Sequence, residues 1–321
     1  MRARFTLFQA LLGLLTSLFG WPSGGAETPE DQPWGEVSRS LEGVNDPGFI
    51  RRTLNEKIPG FLDQVERDSK LPRLLALWGL SRNIDESHLN DRAKTVPPGL
   101  LRFFNSILKV PYDPAFEVGH AGLTHTYGYL FSTLETPYGF KRARYVRGEI
   151  ESGFGLPKGL LGGRTPKGSL LLNLTLLTGP IAFRKSPDAL KSLTALKHRG
   201  GKEVSEALTK FDFSRLQPKT LMESTRIGEA QVEFQTDVVP FLTLPAAGGN
   251  AALLVHSIRI TRSGKSDHRL ITAFPVGASF GAALFDPKTL GDLVPLKLRY
   301  NAMLPSDLHA ESLTGKRFIL Q

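Results

Sequence analysis

Apolar positions recur three and four residues apart along the first third of the chain, and beyond it the spacing shortens. Between Asp46 and Val110 the longer period runs through "FIRRTLNEKI" and "FLDQVERDSKLPRLLALWGL", which predicts helices with one buried face. Pro59, Pro72 and Pro97 stand where those helices would begin, because a proline in the first turn forfeits no intrahelical hydrogen bond. "VPPGLLRFFNSILKV" (96–110) reads as a short amphipathic helix opened by a proline pair.

After Val110, "THTYGYLFSTLET" (124–136), "KRARYVRGEIE" (141–151) and "GSLLLNLTLL" (168–177) are rich in aromatic or apolar residues and lie between Gly/Pro clusters. They read as strands. A helix pair follows at 187–198 and 202–211. Strands are expected again at 229–244, 251–262, 268–276 and 293–303, with 251–276 a hairpin turning at Ser263-Gly264-Lys265-Ser266-Asp267. Strands that succeed one another without a helix each time argue against a doubly wound parallel sheet. The expected fold is α+β, a helical N-terminal region packed against a mostly antiparallel β-rich body. Its divisions are 1–26, 27–46, 47–110 and 111–321, the last with the helix pair near 187–211.

The first division reads as a signal peptide. Arg2 and Arg4 precede the apolar run "FTLFQALLGLLTSLFG" (5–20), and Gly24 and Ala26 supply small residues before a cleavage point after Ala26. Residues 27–46, rich in Pro, Gly, Glu and Asp, read as a flexible lead-in. A soluble mature protein, periplasmic or secreted, is expected, with no transmembrane segment once the leader is removed. The chain has no cysteine, so thiol catalysis, thiolate metal sites and iron–sulfur clusters are excluded. Its formal charge of +9 becomes +7 without the two leader arginines. A basic exported protein favours anionic partners, here a small molecule or an envelope polymer; nucleic acid is not expected.

Candidate chemistry centres on "GHAGLTHTYGYLF" (119–131). His120 and His125 are five apart and converge only if Ala121-Gly122 bends the chain. Either imidazole titrates near neutrality and suits a general base, with Glu149 as a second acid–base group. Glu117, His120 and His125, with Asp113 upstream, could hold a hard or borderline metal but match no established metal signature, so no cofactor is assigned. On a strand, His125, Tyr127, Tyr129 and Phe131 would share a face, able to floor a cleft or to form half of a core. Arg142, Arg144 and Arg147 on an exposed strand would offer an anion platform, with Tyr127 beside it.

Other motifs fail on context. "GFGLPKGLLGGRTPKGS" (153–169) has Lys-Gly-Ser where a phosphate loop needs Gly-Lys-Ser/Thr, and "SGKS" (263–266) is a hairpin tip. The long glycine-rich stretch still reads as a lid or binding loop. "GASFG" (277–281) matches the nucleophile-elbow pattern, with Ser279, Asp292 or Asp307, and His309 as a formal triad, but the βαβ alternation that fold requires is absent. "LITAFP" (270–275), with His256 and Lys265 nearby, resembles over six residues the closing strand of barnase-like endoribonuclease toxins. Their upstream catalytic pattern is not matched here, and the chain continues to Gln321. The expected function is an exported protein binding an anionic ligand or envelope component through strands bearing Arg and aromatic residues. The alternative is an exported hydrolase using His120 or His125 as general base.

Overall fold

The computed structural model describes residues 32–78, 88–90, 93–94, 96–109, 126–128, 130–131, 135–136, 139–161, 169–200, 202–227, 229–243, 250–278 and 316–320. It is an α+β fold. The helical layer begins with α1 (Gln32–Ser40), α2 (Pro47–Lys57), α3 (Phe61–Ser69), α4 (Pro72–Ala76) and α5 (Pro98–Leu108). Proline opens three of these. Pro47 and Pro72 occupy first-turn positions, and Asp46 caps α2 by accepting from the Gly48 N–H at 2.8 Å. The short pairs β1 (His88–Asn90) with β2 (Ala93–Lys94), and β3 (Glu135–Thr136) with β4 (Gly139–Phe140), are antiparallel.

Residues 32–40, expected to be part of a mobile lead-in, form α1. Trp34, Val37 and Leu41 are fully buried, one helical face hidden in a composition of polar and turn-forming residues. Trp34 meets Phe61 edge-on at 5.0 Å and Phe131 at 5.3 Å, and Phe61 meets Phe104 and Tyr127 at 6.1 and 5.9 Å. Five rings from four separated segments thus build the core of the helical layer, Phe61 meeting the other four in the edge-on arrangement that aromatic quadrupoles favour.

Two expected strands are helical, and among the described residues of the third, 124–136, only 126–128 are helical while 135–136 are strand. Residues 126–128 form a helical turn, and Tyr127 and Phe131, four apart, are both fully buried. Residues 141–151 form α6 (Lys141–Val146) and α7 (Glu149–Gly153), hinged at Gly148 with φ +72°. Arg142 and Tyr145 are buried at a helical spacing that the alternation of charges concealed. Residues 170–182 form α8 (Leu170–Ala182), capped by the Ser169 hydroxyl accepting from the Leu172 N–H at 3.1 Å. Nearly every residue of α8 is buried. A helix apolar on all sides carries no period, and its six leucines between 170 and 177 among few β-branched residues favour helix over strand. The helix pair follows as α9 (Pro187–Leu196) and α10 (Lys202–Lys210).

The main sheet comprises β5 (Lys219–Ile227), β6 (Ala230–Pro240), β7 (Asn250–Arg262), β8 (Lys265–Gly277) and β9 (Lys316–Leu320). Its order is β8-β7-β6-β5-β9, antiparallel throughout. The β7–β8 hairpin turns more tightly than expected: only Ser263 (φ +49°) and Gly264 (φ +75°) lie outside the ladder, and Arg262 pairs with Lys265. Two successive positive φ angles match the right-handed twist of the strands. One face sends Val239, Leu253, Val255, Leu270 and Ala273 into the helical core, while the other carries Val238, Ala252, Leu254 and Val276 in a second cluster. Edge strand β8 is tied to the helical layer where the Leu270 N–H reaches the Leu77 carbonyl at 2.8 Å and the Tyr145 hydroxyl donates to the Ala273 carbonyl. No helix among the described residues is long and apolar enough to cross a membrane.

Candidate functional site

The residues that drew attention in the sequence are only partly brought together. His120, His125, Glu117 and Asp113 lie outside the described residues, as do Ser279 and the expected strand 293–303. Glu149 is half-buried in the first turn of α7. Tyr127, expected beside an anion platform, is fully buried, and its hydroxyl donates to the Asp68 carboxylate. Arg142 is fully buried on α6, so the exposed arginine strand does not form. Arg147 is half-buried and falls beyond the end of α6.

Several buried polar groups resemble chemistry and serve packing. Asp68, fully buried on α3, accepts from both Tyr127 and Ser169, so it joins α3, the 126–128 turn and the start of α8. Burial lifts its carboxyl to about 6 against the pull of those hydrogen bonds. Asp237 on β6 accepts from Arg184 at 3.2 Å, Thr220 at 2.6 Å and Gln235 at 2.5 Å. Arg184 also donates to the Ile181 carbonyl, which fastens the end of α8 to the sheet.

Ser257 and His268 form a pair with Oγ and Nε2 3.1 Å apart. A nucleophilic serine needs access and a base oriented by a third group. Ser257 is fully buried, and Nδ1 of His268 has no hydrogen-bond partner among the described residues. Burial, with Arg259 and Arg184 nearby, lowers His268 to about 4. The ring instead packs edge-on against Phe183 at 5.1 Å. His256, noted beside "LITAFP", is a core residue hydrogen-bonded to Thr236 at 2.8 Å, with its pKa lowered by burial to about 3.

Two surface features remain, both on the α9–α10 hairpin. The first is its tip. Lys197, His198 and Arg199 form a 3₁₀ turn after α9, and Lys202 opens α10. All four are exposed. Gly200 lets the turn close onto α8: a Cβ there would stand 3.1 Å from both Leu176 and Val204 side chains. Cations at the C-terminal end of α9 complement its carbonyl ends. Lys202 lies at the opposite pole of the next helix, where the dipole disfavours it, and its ion pair with Glu206 is a loose 3.9 Å. The sequence signal was a cation run broken by a glycine pair, "KHRGGK", which strand-centred reading passed over.

The second feature is a cleft of about 520 Å³ between residues 155–160 and α10. Leu156, Lys158 and Leu160 face it from the loop, and Glu203, Glu206 and Lys210 from the helix. Residues 155–160 of the glycine-rich stretch therefore border a cavity. Among the described residues, no three His, Asp or Glu side chains are grouped to hold a metal ion. Comparisons of the chain with protein-family models, with curated proteins and with solved structures found no match.

Proposed function

We propose that the protein is exported and acts as an envelope-associated binding protein, docking a negatively charged envelope polymer on the tip of the α9–α10 hairpin. One observation carries this reading. Lys197, His198 and Arg199 are exposed side by side and make no hydrogen bond or ion pair with their side chains among the described residues. Cations already paired gain little by exchanging one anion for another, whereas a cluster without partners focuses positive potential outward. The basic composition of the chain agrees with this, and export rests on the leader pattern of residues 1–26.

The test uses the mature chain and long-chain polyphosphate as a defined polyanion. Binding should weaken with salt, with a slope of log K against log salt of about −2 for the Lys197, Arg199 and Lys202 contacts. The triple variant Lys197→Gln, Arg199→Gln, Lys202→Gln should lose at least roughly tenfold in affinity with an unchanged circular dichroism spectrum. Affinity indifferent to salt, or equal in the variant and the wild type, would overturn the proposal.

A further inference from the structure

The cleft beside α10 is held more firmly than a chance surface groove. Its loop wall turns on Gly155 (φ +68°) and Gly159 (φ +85°), conformations that side-chain-bearing residues rarely adopt. Behind it, Glu151 on α7 is fully buried and accepts from the N–H groups of Gly159 and Leu161, each at 3.2 Å. Asn173 on α8, also fully buried, donates to the Leu160 carbonyl. Among the described residues, Glu151 Oε2 and Asn173 Oδ1 have no hydrogen-bond partner. A buried carboxylate with one oxygen unsatisfied is costly, and burial raises the Glu151 pKa accordingly. The fold keeps both groups where they hold residues 159–161, the last two of the cleft wall and the one after it.

The opposite wall is a single stripe of α10, with positions 203, 206 and 207, and 210 recurring at helical spacing. Leu156, Leu160, Val204 and Phe211 provide apolar lining, and Phe211 is braced edge-on by Phe154 at 6.0 Å. Charges of both signs stand at the cleft: Lys158 and Lys210 with Glu203 and Glu206. The volume falls in the range of small-ligand sites. We infer that this cleft binds a small zwitterion with an apolar body, of the class of short peptides with free ends. The apolar side chains rest on the leucines and Phe211, the carboxylate faces the lysines, and the ammonium faces the glutamates. An all-anionic ligand would meet two carboxylates at the same walls.

The experiment is an NMR titration of the mature full chain with tri-leucine, its N-acetyl form and its C-terminal amide. Free tri-leucine should give saturable shifts confined to residues 155–161 and 203–211, and each blocked form should bind at least roughly tenfold more weakly. Ala207→Trp, which places an indole in the cleft from a half-buried position, should abolish peptide binding and leave polyphosphate binding intact. Should that variant unfold, Lys158→Glu at an exposed position should weaken free tri-leucine by roughly fivefold or more. No saturable shift up to millimolar peptide, or equal affinity for free and blocked forms, overturns the inference. So does unchanged binding in a folded Ala207→Trp, or in Lys158→Glu where Ala207→Trp unfolds. Loss of polyphosphate binding alone bears on the hairpin tip and not on the cleft.

Discussion

Acid should unfold this protein through its sheet histidines, and His256 allows the effect to be isolated. The imidazole is buried on β7, cross-strand from Thr236 and Thr272, with Phe274 6.3 Å away. Burial lowers its pKa from 6.5 to about 3. A folded pKa below the unfolded value means that the stability contributed is present above pH 6.5 and is lost as pH falls toward 3. Between pH 7 and 4.5 the loss from His256 is about 2.6 kcal/mol. His268, lowered to about 4, adds about 2.4 kcal/mol by the same arithmetic. Asp68 works in the other direction. Its folded pKa is raised from 3.8 to about 6, so the native state gains stability as pH falls through that window, about 2 kcal/mol by pH 4.5. These three groups together give a loss of about 3 kcal/mol, which the raised pKa of the buried Glu151 opposes. Urea unfolding at the two pH values measures it directly. His256→Gln keeps a polar group for Thr236 but cannot take up the proton, so its loss should be smaller than that of the wild type by about 2.6 kcal/mol. Equal losses in wild type and variant would refute the argument, because they would mean that His256 does not remain neutral inside the folded sheet.

Three further outcomes are expected. Trp34→Ala should cost about 3–5 kcal/mol in denaturant unfolding, since the ring is fully buried among Phe61 and Phe131; a loss below about 1 kcal/mol would return residues 32–40 to a loosely held segment. Gly153→Ala should destabilise by about 1–3 kcal/mol, because a Cβ there would stand 2.5 Å from the Phe241 ring, and the thermal melt of the variant checks it. Intact-mass measurement of exported material should place the N-terminus within two residues of Glu27, and a mass that retains Met1–Gly20 would contradict export by a cleaved leader.

Sequence by itself determined those elements whose burial is one-sided or whose ends are marked. The N-terminal helices declared themselves by a helical period and by prolines at their starts, the α9–α10 pair by the same period, and the β7–β8 hairpin by branched runs around a polar turn. The α+β class followed from those. Tertiary structure decided the rest, and the reason lies in what each segment touches. Residues 170–177 carry no period because α8 is enclosed on every side. Residues 124–131 alternate like a strand, yet Tyr127 and Phe131 are placed by the aromatic cluster they complete with Trp34, Phe61 and Phe104. Arg142 reads as a surface cation until α6 turns it inward. The candidate site divided in the same way. The glycine-rich stretch could be recognised as a loop of interest, but its partner wall on α10 lies some fifty residues away, and its clamps, Glu151 and Asn173, are ordinary polar residues in sequence. Only folding brings them behind one loop, where a buried carboxylate and a buried amide hold backbone that would otherwise be free to move.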